Sequence, residues 1–331
     1  VARRFLSDQQ HRRIHTKLEK KLSGSQQPSQ EAASNLGSEQ SGLVISHHGQ
    51  TIHIESVDGT PYFCHVRQNL GSIVVGDQVI WQAQIDAKEP CGIIVAKESR
   101  RSVLTRASQY KPTQELAANI DQIMVVLALY PTPIEYYLDQ HLVAAELQNL
   151  PCQIVLNKID FQTEHPIPPW LQYYETIGYS IIYASTKTTD GLAQLMQEMQ
   201  HKNSILVGQS GVGKSSLINA LIDGALAKTG NVSELNKRGK HTTAASRLYH
   251  LRNGGCIIDS PGVREFGICE TSANKIITGF KEFLPYLGHC KFRNCNHRNT
   301  QGCAIETKVN SGEISYGRLQ SYFRIIDNLP K

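Results

Sequence analysis

The run Gly208, Gln209, Ser210, Gly211, Val212, Gly213, Lys214, Ser215 concentrates glycine, a lysine and a hydroxyl in consecutive positions. Glycines let backbone N–H groups turn inward on an oxyanion, and a following helix adds its N-terminal dipole. The spacing fits a phosphate-binding loop. Lys214 is expected at the β- and γ-phosphates of a nucleoside triphosphate, as a binding and catalytic group, and Ser215 at Mg²⁺. Ser216, the next residue, opens the helix and is counted with the cradle.

A second run, Asn157, Lys158, Ile159, Asp160, carries a carboxylate suited to a base edge. A carboxylate accepts from both N1–H and the 2-amino group of guanine. Adenine offers neither donor, and its binding would leave a buried charge unpaired. The pair of runs therefore points to GTP. Ser185, in Tyr183-Ala184-Ser185 after another apolar run, suits a second base-contacting loop; an ordinary strand-to-loop turn fits it too. Asp259-Ser260-Pro261-Gly262 follows the apolar run 256–258. Asp259 suits Mg²⁺ through a water, and the Gly262 N–H suits the γ-phosphate. Between them, 237–243 (Lys-Arg-Gly-Lys-His-Thr-Thr) is basic and polar, as a switch loop would be. Thr242 or Thr243 could complete the Mg²⁺ shell.

Cys290, Cys295, His297 and Cys303 lie close together in the chain. Three thiolates and an imidazole suit one tetrahedral Zn²⁺ and leave no position for water, so the site reads as structural. Lys291, Arg293 and Arg298 fall between the ligands and could meet phosphates.

These groups need a scaffold. From residue 42, β-type runs at 43–46, 51–57, 62–67, 77–81 and 92–96 alternate with turn residues such as Asp58-Gly59. Five short strands suggest a small closed barrel, with the OB type the leading candidate, although the pattern alone would also fit an SH3-like barrel. From about residue 120 the rhythm is β-α-β. Apolar runs at 123–129, 153–156, 181–183, 205–207 and 256–258 read as buried parallel strands, and 136–148, 192–199 and 216–222 as helices. This predicts a doubly wound α/β domain. A helical stretch with the Cys/His cluster follows from about 275, ending in an amphipathic segment over 316–329. The expected organisation is multidomain: a basic arm over 1–40, an OB-fold barrel over 41–105, an α/β P-loop GTPase domain over 106–275, and a mainly helical zinc-binding domain over 276–331. The base-reading motif precedes the phosphate loop here, whereas ordinary small GTPases have the reverse order. The same sheet can be built either way, so the arrangement is a circular permutation.

The chain has 331 residues, 40% hydrophobic and 19% charged, which excludes a wholly disordered protein. No apolar run reaches the ~18 residues of a membrane span, and the first twenty residues lack the apolar core of a secretory signal. Eight cysteines are too few for a disulfide scaffold and suggest a reducing compartment. The net charge of +5 is uneven: residues 1–21 hold Arg3, Arg4, Arg12, Arg13, Lys17, Lys20 and Lys21 against Asp8 and Glu19. Such an arm either touches nucleic acid or is a solvated tail.

The permuted motifs, the preceding barrel and the following Cys-Cys-His-Cys knuckle resemble the RsgA (YjeQ/YloQ) family of small-ribosomal-subunit-dependent GTPases. Gly-Lys-His-Thr-Thr at 239–243 and Cys-Lys-Phe-Arg-Asn-Cys at 290–295 look like family signatures, and the resemblance covers roughly 42–331. It implies a cytoplasmic GTP hydrolase stimulated by the small subunit, binding GTP/GDP and 16S rRNA late in 30S maturation, with Mg²⁺ and one structural Zn²⁺. Val263 stands where many GTPases carry a water-orienting glutamine, and a valine cannot hold water. The resemblance assigns that role to His241 once its loop is ordered; a solvated loop histidine is the other reading. A monomer is expected. The rival functions are a nucleotide-gated RNA-binding scaffold with incidental turnover, and a signalling GTPase acting on a protein.

Overall fold

Alternation of apolar and polar residues decides the N-terminal unit. In β2 (Thr51–Ser56) every second residue is buried, which turns Ile52 and Ile54 inward. The computed structural model describes residues 35–48, 51–67, 70–85, 87–106, 114–226, 246–260, 266–269 and 272–329. β1 (Leu36–His48), β2, β3 (Pro61–Val66), β5 (Cys91–Lys97) and β4 (Gln78–Gln84) lie side by side in that order, and β4 pairs back onto β1. All pairs are antiparallel except β3 with β5. This closed order with a parallel pair selects the OB-type barrel over the SH3-like alternative. β1 starts at Leu36 and not at residue 42, so 36–40 belong to the barrel and not to the arm. Trp81 is fully buried at the centre among Val44, Ile54, Val79 and Ile94. The barrel admits the indole because Gly42 faces it: a Cβ there would stand 2.9 Å from the ring.

The second unit follows the β-α-β rhythm. The order β10 (Ile181–Tyr183), β9 (Cys152–Asn157), β8 (Gln122–Ala128), β11 (Asn203–Val207), β13 (Cys256–Asp259) is parallel throughout. β12 (Ser246–His250) is antiparallel to β13. Every residue of β8 is buried, as its continuous apolar run requires. Its odd-numbered residues Ile123, Val125 and Leu127 pack with Leu138 and Leu142 of α1 (Glu135–Leu147) and with Leu171 and Tyr174 of α2 (Leu171–Thr176). Its even-numbered Met124 and Val126 pack with Leu195 of α3 (Thr189–Glu198) and Leu217 and Leu221 of α4 (Lys214–Leu226). Helices thus cover both faces. The hairpin β6 (Val103–Arg106) with β7 (Gln114–Ala118) links barrel and sheet. Two backbone pairs, Ser46 with Arg247 and His47 with Ser246, join β1 to β12, so barrel and α/β sheet share one run of strands.

The C-terminal unit is mainly helical: α5 (Ala273–Ile276), 3₁₀ turns at Ile277–Gly279 and Lys281–Tyr286, α6 (Ala304–Asn310) and α7 (Tyr316–Asp327). Phe280, Phe283, Ile305, Leu319, Tyr322 and Ile325 form its core together with Val143 of α1. Arg318 is buried in this apolar setting. Its Nη1 donates to Asp139 Oδ1 on α1 (2.6 Å), and its Nε and Nη2 donate to Glu282 (2.6 and 3.1 Å). Among the described residues no helix is long and apolar enough to cross a membrane.

Candidate functional site

β11 enters the core and must reverse into α4 within six residues, 208–213. Two glycines there are obligatory. Gly208 has φ 136° and Gly213 φ 95°, both in the region L side chains avoid. A Cβ on Gly208 would strike the Val126 carbonyl of β8, and one on Gly213 the Asn157 side-chain amide. The loop therefore lies hard against the C-terminal ends of two parallel strands, where α/β sheets bind ligands.

Asn157, Lys158, Asp160 and Ser185 are brought to this loop. Asn157 Nδ2 donates to the Val212 carbonyl (2.8 Å), and Lys158 Nζ donates to the carbonyls of Gly211 and Tyr130 (2.8 Å each). Both residues thus brace the phosphate loop directly, a role their motif alone does not disclose. The Asp160 side chain is exposed, and its Oδ1 accepts from the buried Ser185 hydroxyl at 2.6 Å. The Lys187 N–H donates to the same hydroxyl (3.0 Å), so Ser185 holds the carboxylate rather than merely ending β10. Asn157 Oδ1 is buried with no hydrogen-bond donor.

Lys214 Nζ donates to the carbonyls of Gly208 and Gln209, both at 2.6 Å, and so curls back over its own loop. Ser215 and Ser216 are exposed at the start of α4, beside Gln209, Ser210 and the bend at Val212. Asp259 ends β13 opposite Arg247, and the neighbouring Ser260 hydroxyl lies 2.7 Å from that of Ser246, tying the ends of β12 and β13. His141 of α1 was not singled out from sequence. Burial lowers its basicity, its contact with the Tyr137 carbonyl (2.6 Å) partly offsets this, and the Lys214 charge lowers it further. His241, Thr242, Thr243, Gly262 and Val263 lie outside the described residues, as does the basic arm over 1–21.

Cys290, Cys295, His297 and Cys303 converge, with all four ligand atoms within 4.8 Å of one another. Zinc bonds of about 2.3 Å to sulfur and about 2.0 Å to nitrogen set tetrahedral edges of about 3.8 Å and about 3.5 Å. The cluster has Cys290 Sγ to Cys303 Sγ at 4.0 Å, and His297 Nδ1 to those sulfurs at 3.6 and 3.4 Å. The donor set therefore fits the ion. The N–H groups of Ala304 and Glu306 point at Cys290 and Cys303 Sγ (3.4 and 3.5 Å), which favours thiolates. Burial pushes the Cys303 thiol up to about 12, a proton the metal would have to displace. Lys291, Arg293 and Arg298, between the ligands, are all exposed; Arg298 also pairs with Asp327 (2.6 Å) and lies over the Phe323 ring.

The permuted parallel sheet, its glycine loop at β11–α4 and the Asp160 loop beside it define a circularly permuted P-loop GTPase. The RsgA GTPase family profile matches residues 97–269. The small ribosomal subunit biogenesis GTPase RsgA of Hahella chejuensis is 42% identical, over 99% of this chain and 97% of its own length. The protein of the same description from Klebsiella pneumoniae is 40% identical, over 99% and 96%. Among solved structures, YjeQ from Thermotoga maritima superposes with a TM-score of 0.67 at 29% identity, covering 88% of this chain and 99% of that one. YloQ, described as a circularly permuted GTPase, shares the fold with a TM-score of 0.67 at 24% identity, over 89% and 97%. The chain belongs to the RsgA GTPase family and is a GTP hydrolase.

Proposed function

We propose that this GTPase binds the small ribosomal subunit, through 16S rRNA, and hydrolyses GTP as that subunit completes its maturation. The observation that carries the reading is the union, in one chain, of an OB-type barrel, a permuted guanine-nucleotide site and a Cys₃His cluster. Relatives described as small ribosomal subunit biogenesis GTPases align across nearly the whole of it. The protein acts as a cytoplasmic monomer. The barrel over 41–105, with the strand residues from Leu36, and the zinc domain over 276–331 grip RNA, and the GTPase domain over 106–275 times release.

In this reading the N–H groups of 208–213 and Lys214 cradle the phosphates. Lys214 exchanges the Gly208 and Gln209 carbonyls for phosphate oxygens. Asp160, held by Ser185, selects guanine. Ser215, Asp259 and one of Thr242 or Thr243 would hold Mg²⁺, which would neutralise the β- and γ-phosphate charge. The Gly262 N–H meets the γ-phosphate. Because Val263 cannot hold water, His241 orients the attacking molecule once rRNA orders its loop. Cys290, Cys295, His297 and Cys303 would hold a structural zinc, which cross-links the loop before α6.

The deciding experiment is GTP turnover with and without purified small subunits. We expect a slow intrinsic rate and a large stimulation that His241→Ala abolishes while GTP binding persists. Turnover indifferent to the subunit, with RNA binding still dependent on GTP, would replace this reading by the scaffold.

A further inference from the structure

Away from the nucleotide site, three side chains from three strands form a chain of contacts. His250, the last residue of β12, lies directly across the ladder from Cys256, the first residue of β13. Its Nδ1 is 3.4 Å from Cys256 Sγ. Its Nε2 is 2.7 Å from Glu55 Oε2, on β2 of the barrel. Thiol, imidazole and carboxylate are thus in line, the order in which a base activates a nucleophile and a third group orients the base. Nothing in GTP binding or in the zinc cluster uses them.

We propose that Cys256 is an activated thiol, a modification site for small hydroperoxides, with His250 as its base and Glu55 as the positioning residue. The imidazole is held strongly basic, first by its hydrogen bond with Cys256, then by that with Glu55, and its pKa is raised to about 10. An imidazolium beside the sulfur favours the thiolate, the reactive form. Among the described residues, no histidine contact is seen at the other cysteines outside the zinc cluster. Burial raises the Cys64 thiol to about 12 and pushes Cys152 and Cys269 up as well, while Cys91 meets only the Gln84 amide oxygen.

The chemistry balances on these groups. The Cys256 thiolate attacks one peroxide oxygen, so an S–O bond forms and the O–O bond breaks. The departing hydroxide or alkoxide takes the Nδ1 proton of His250 and leaves as water or an alcohol. Sulfur loses two electrons, the peroxide gains two, and the product is a sulfenic acid. His250 ends neutral and keeps its Nε2–H on Glu55, so the contact between barrel and sheet survives the step. The site is small: Cys256 is 8% exposed, and among the described residues the only half-exposed group touching its sulfur is the His250 ring, 53% exposed. A compact oxidant is therefore favoured over a bulky electrophile.

The test uses the full-length zinc-loaded protein, hydrogen peroxide as oxidant and dimedone as the sulfenic-acid trap, with peptide mass spectrometry reading each cysteine. Cys91 is the internal comparison, because it is more exposed than Cys256 and exposure alone predicts the opposite order. We expect Cys256 to be trapped about tenfold faster than Cys91, since reactivity follows thiolate character. His250→Gln should bring it down to the Cys91 rate, and Glu55→Gln should slow it roughly threefold. Cys256 reacting no faster than Cys91 in the unaltered protein would overturn the proposal without recourse to any variant. An unchanged Cys256 rate in a His250→Gln protein that still binds GTP would do the same.

Discussion

Removing Arg318 should uncouple the C-terminal unit from the GTPase sheet. Its guanidinium is fully buried, as is Asp139, and Glu282 is nearly so. It stacks over the Phe280 ring, 4.5 Å from the centroid, and the Tyr174 hydroxyl donates to Asp139 at 2.5 Å. Burial alone would push the Asp139 carboxyl up; Arg318, then Ser321 and Tyr174, pull it back toward the charged form. Replacing the arginine by methionine keeps the stem against Phe280 but strands two carboxylates in an apolar setting. Breaking a buried pair in this way costs about 3–5 kcal/mol. At about 1.4 kcal/mol per factor of ten, the lower figure already shifts a local opening equilibrium about a hundredfold. Hydrogen exchange reads this directly: amides of α7 near Leu319 and Tyr322 should lose about two orders of magnitude of protection in Arg318→Met. The triple variant Arg318→Met, Asp139→Asn, Glu282→Gln leaves only the partly buried Glu135 carboxylate behind and should recover most of the loss. A single variant costing less than about 1 kcal/mol, or a triple variant as damaged as the single one, would refute the assignment of the charge cluster as the brace.

Other expectations follow from individual contacts. Ser185→Ala frees the Asp160 carboxylate and should weaken GTP by about 1.5 kcal/mol, roughly tenfold, measured by calorimetry. Asp160→Asn should favour xanthosine triphosphate over GTP in competition; an unchanged preference would remove Asp160 from the base site. Metal analysis should find about one zinc per chain, and Cys303→Ser should lower both zinc content and α6 protection while GTP affinity holds. His250 has a folded pKa raised from 6.5 to about 10, so its contribution to the barrel contact is complete below about pH 6.5 and disappears as pH rises through about 10. Its imidazole resonances should titrate far above 6.5, and clearly lower in Glu55→Gln; a midpoint near the ordinary value would remove the Glu55 and Cys256 contacts.

What could be read ahead of the structure was local. The glycine loop, the run Asn157 to Asp160 and the Cys₃His spacing are contiguous or nearly so, and each dictates its chemistry through neighbours in the chain. The same holds for β8, whose unbroken apolar run demands cover on both faces. Two kinds of information were not local. Barrel type depends on which strands are neighbours, and only the parallel β3–β5 pair separates OB-type from SH3-like closure. β12, with Ser246, Arg247 and His250, is too polar to announce a strand and is held by its ladder to β13 instead. Asp139, Glu282 and Arg318 look like surface charges in sequence, because nothing in their own segments reveals that they meet. The β6–β7 hairpin and α2 escaped for the same reason: each is short and stabilised by what it packs against.

The two joints of the molecule differ in chemistry, and each bears on how a nucleotide state could be transmitted. The barrel meets the α/β unit through two backbone pairs at the β1–β12 edge, through a buried seam in which Val75 bridges Ala117 and Asn119 Nδ2 donates to the Gly76 carbonyl (2.8 Å), and through the Glu55–His250 contact, whose imidazole is half in water. A partly exposed ion pair of this kind contributes little. The C-terminal unit meets α1 through a fully buried arginine with two carboxylates, and Val143 of α1 lies inside its apolar core. Breaking that joint is costly, so α1 and the C-terminal unit must move together or not at all. His141, on the same helix, carries its ring beside that of Phe266, 6.1 Å between centroids, just after the Asp259 loop, and senses the Lys214 charge. A displacement beginning at the phosphate loop can therefore reach the C-terminal unit through α1 and the barrel through its buried seam at Val75 and Gly76.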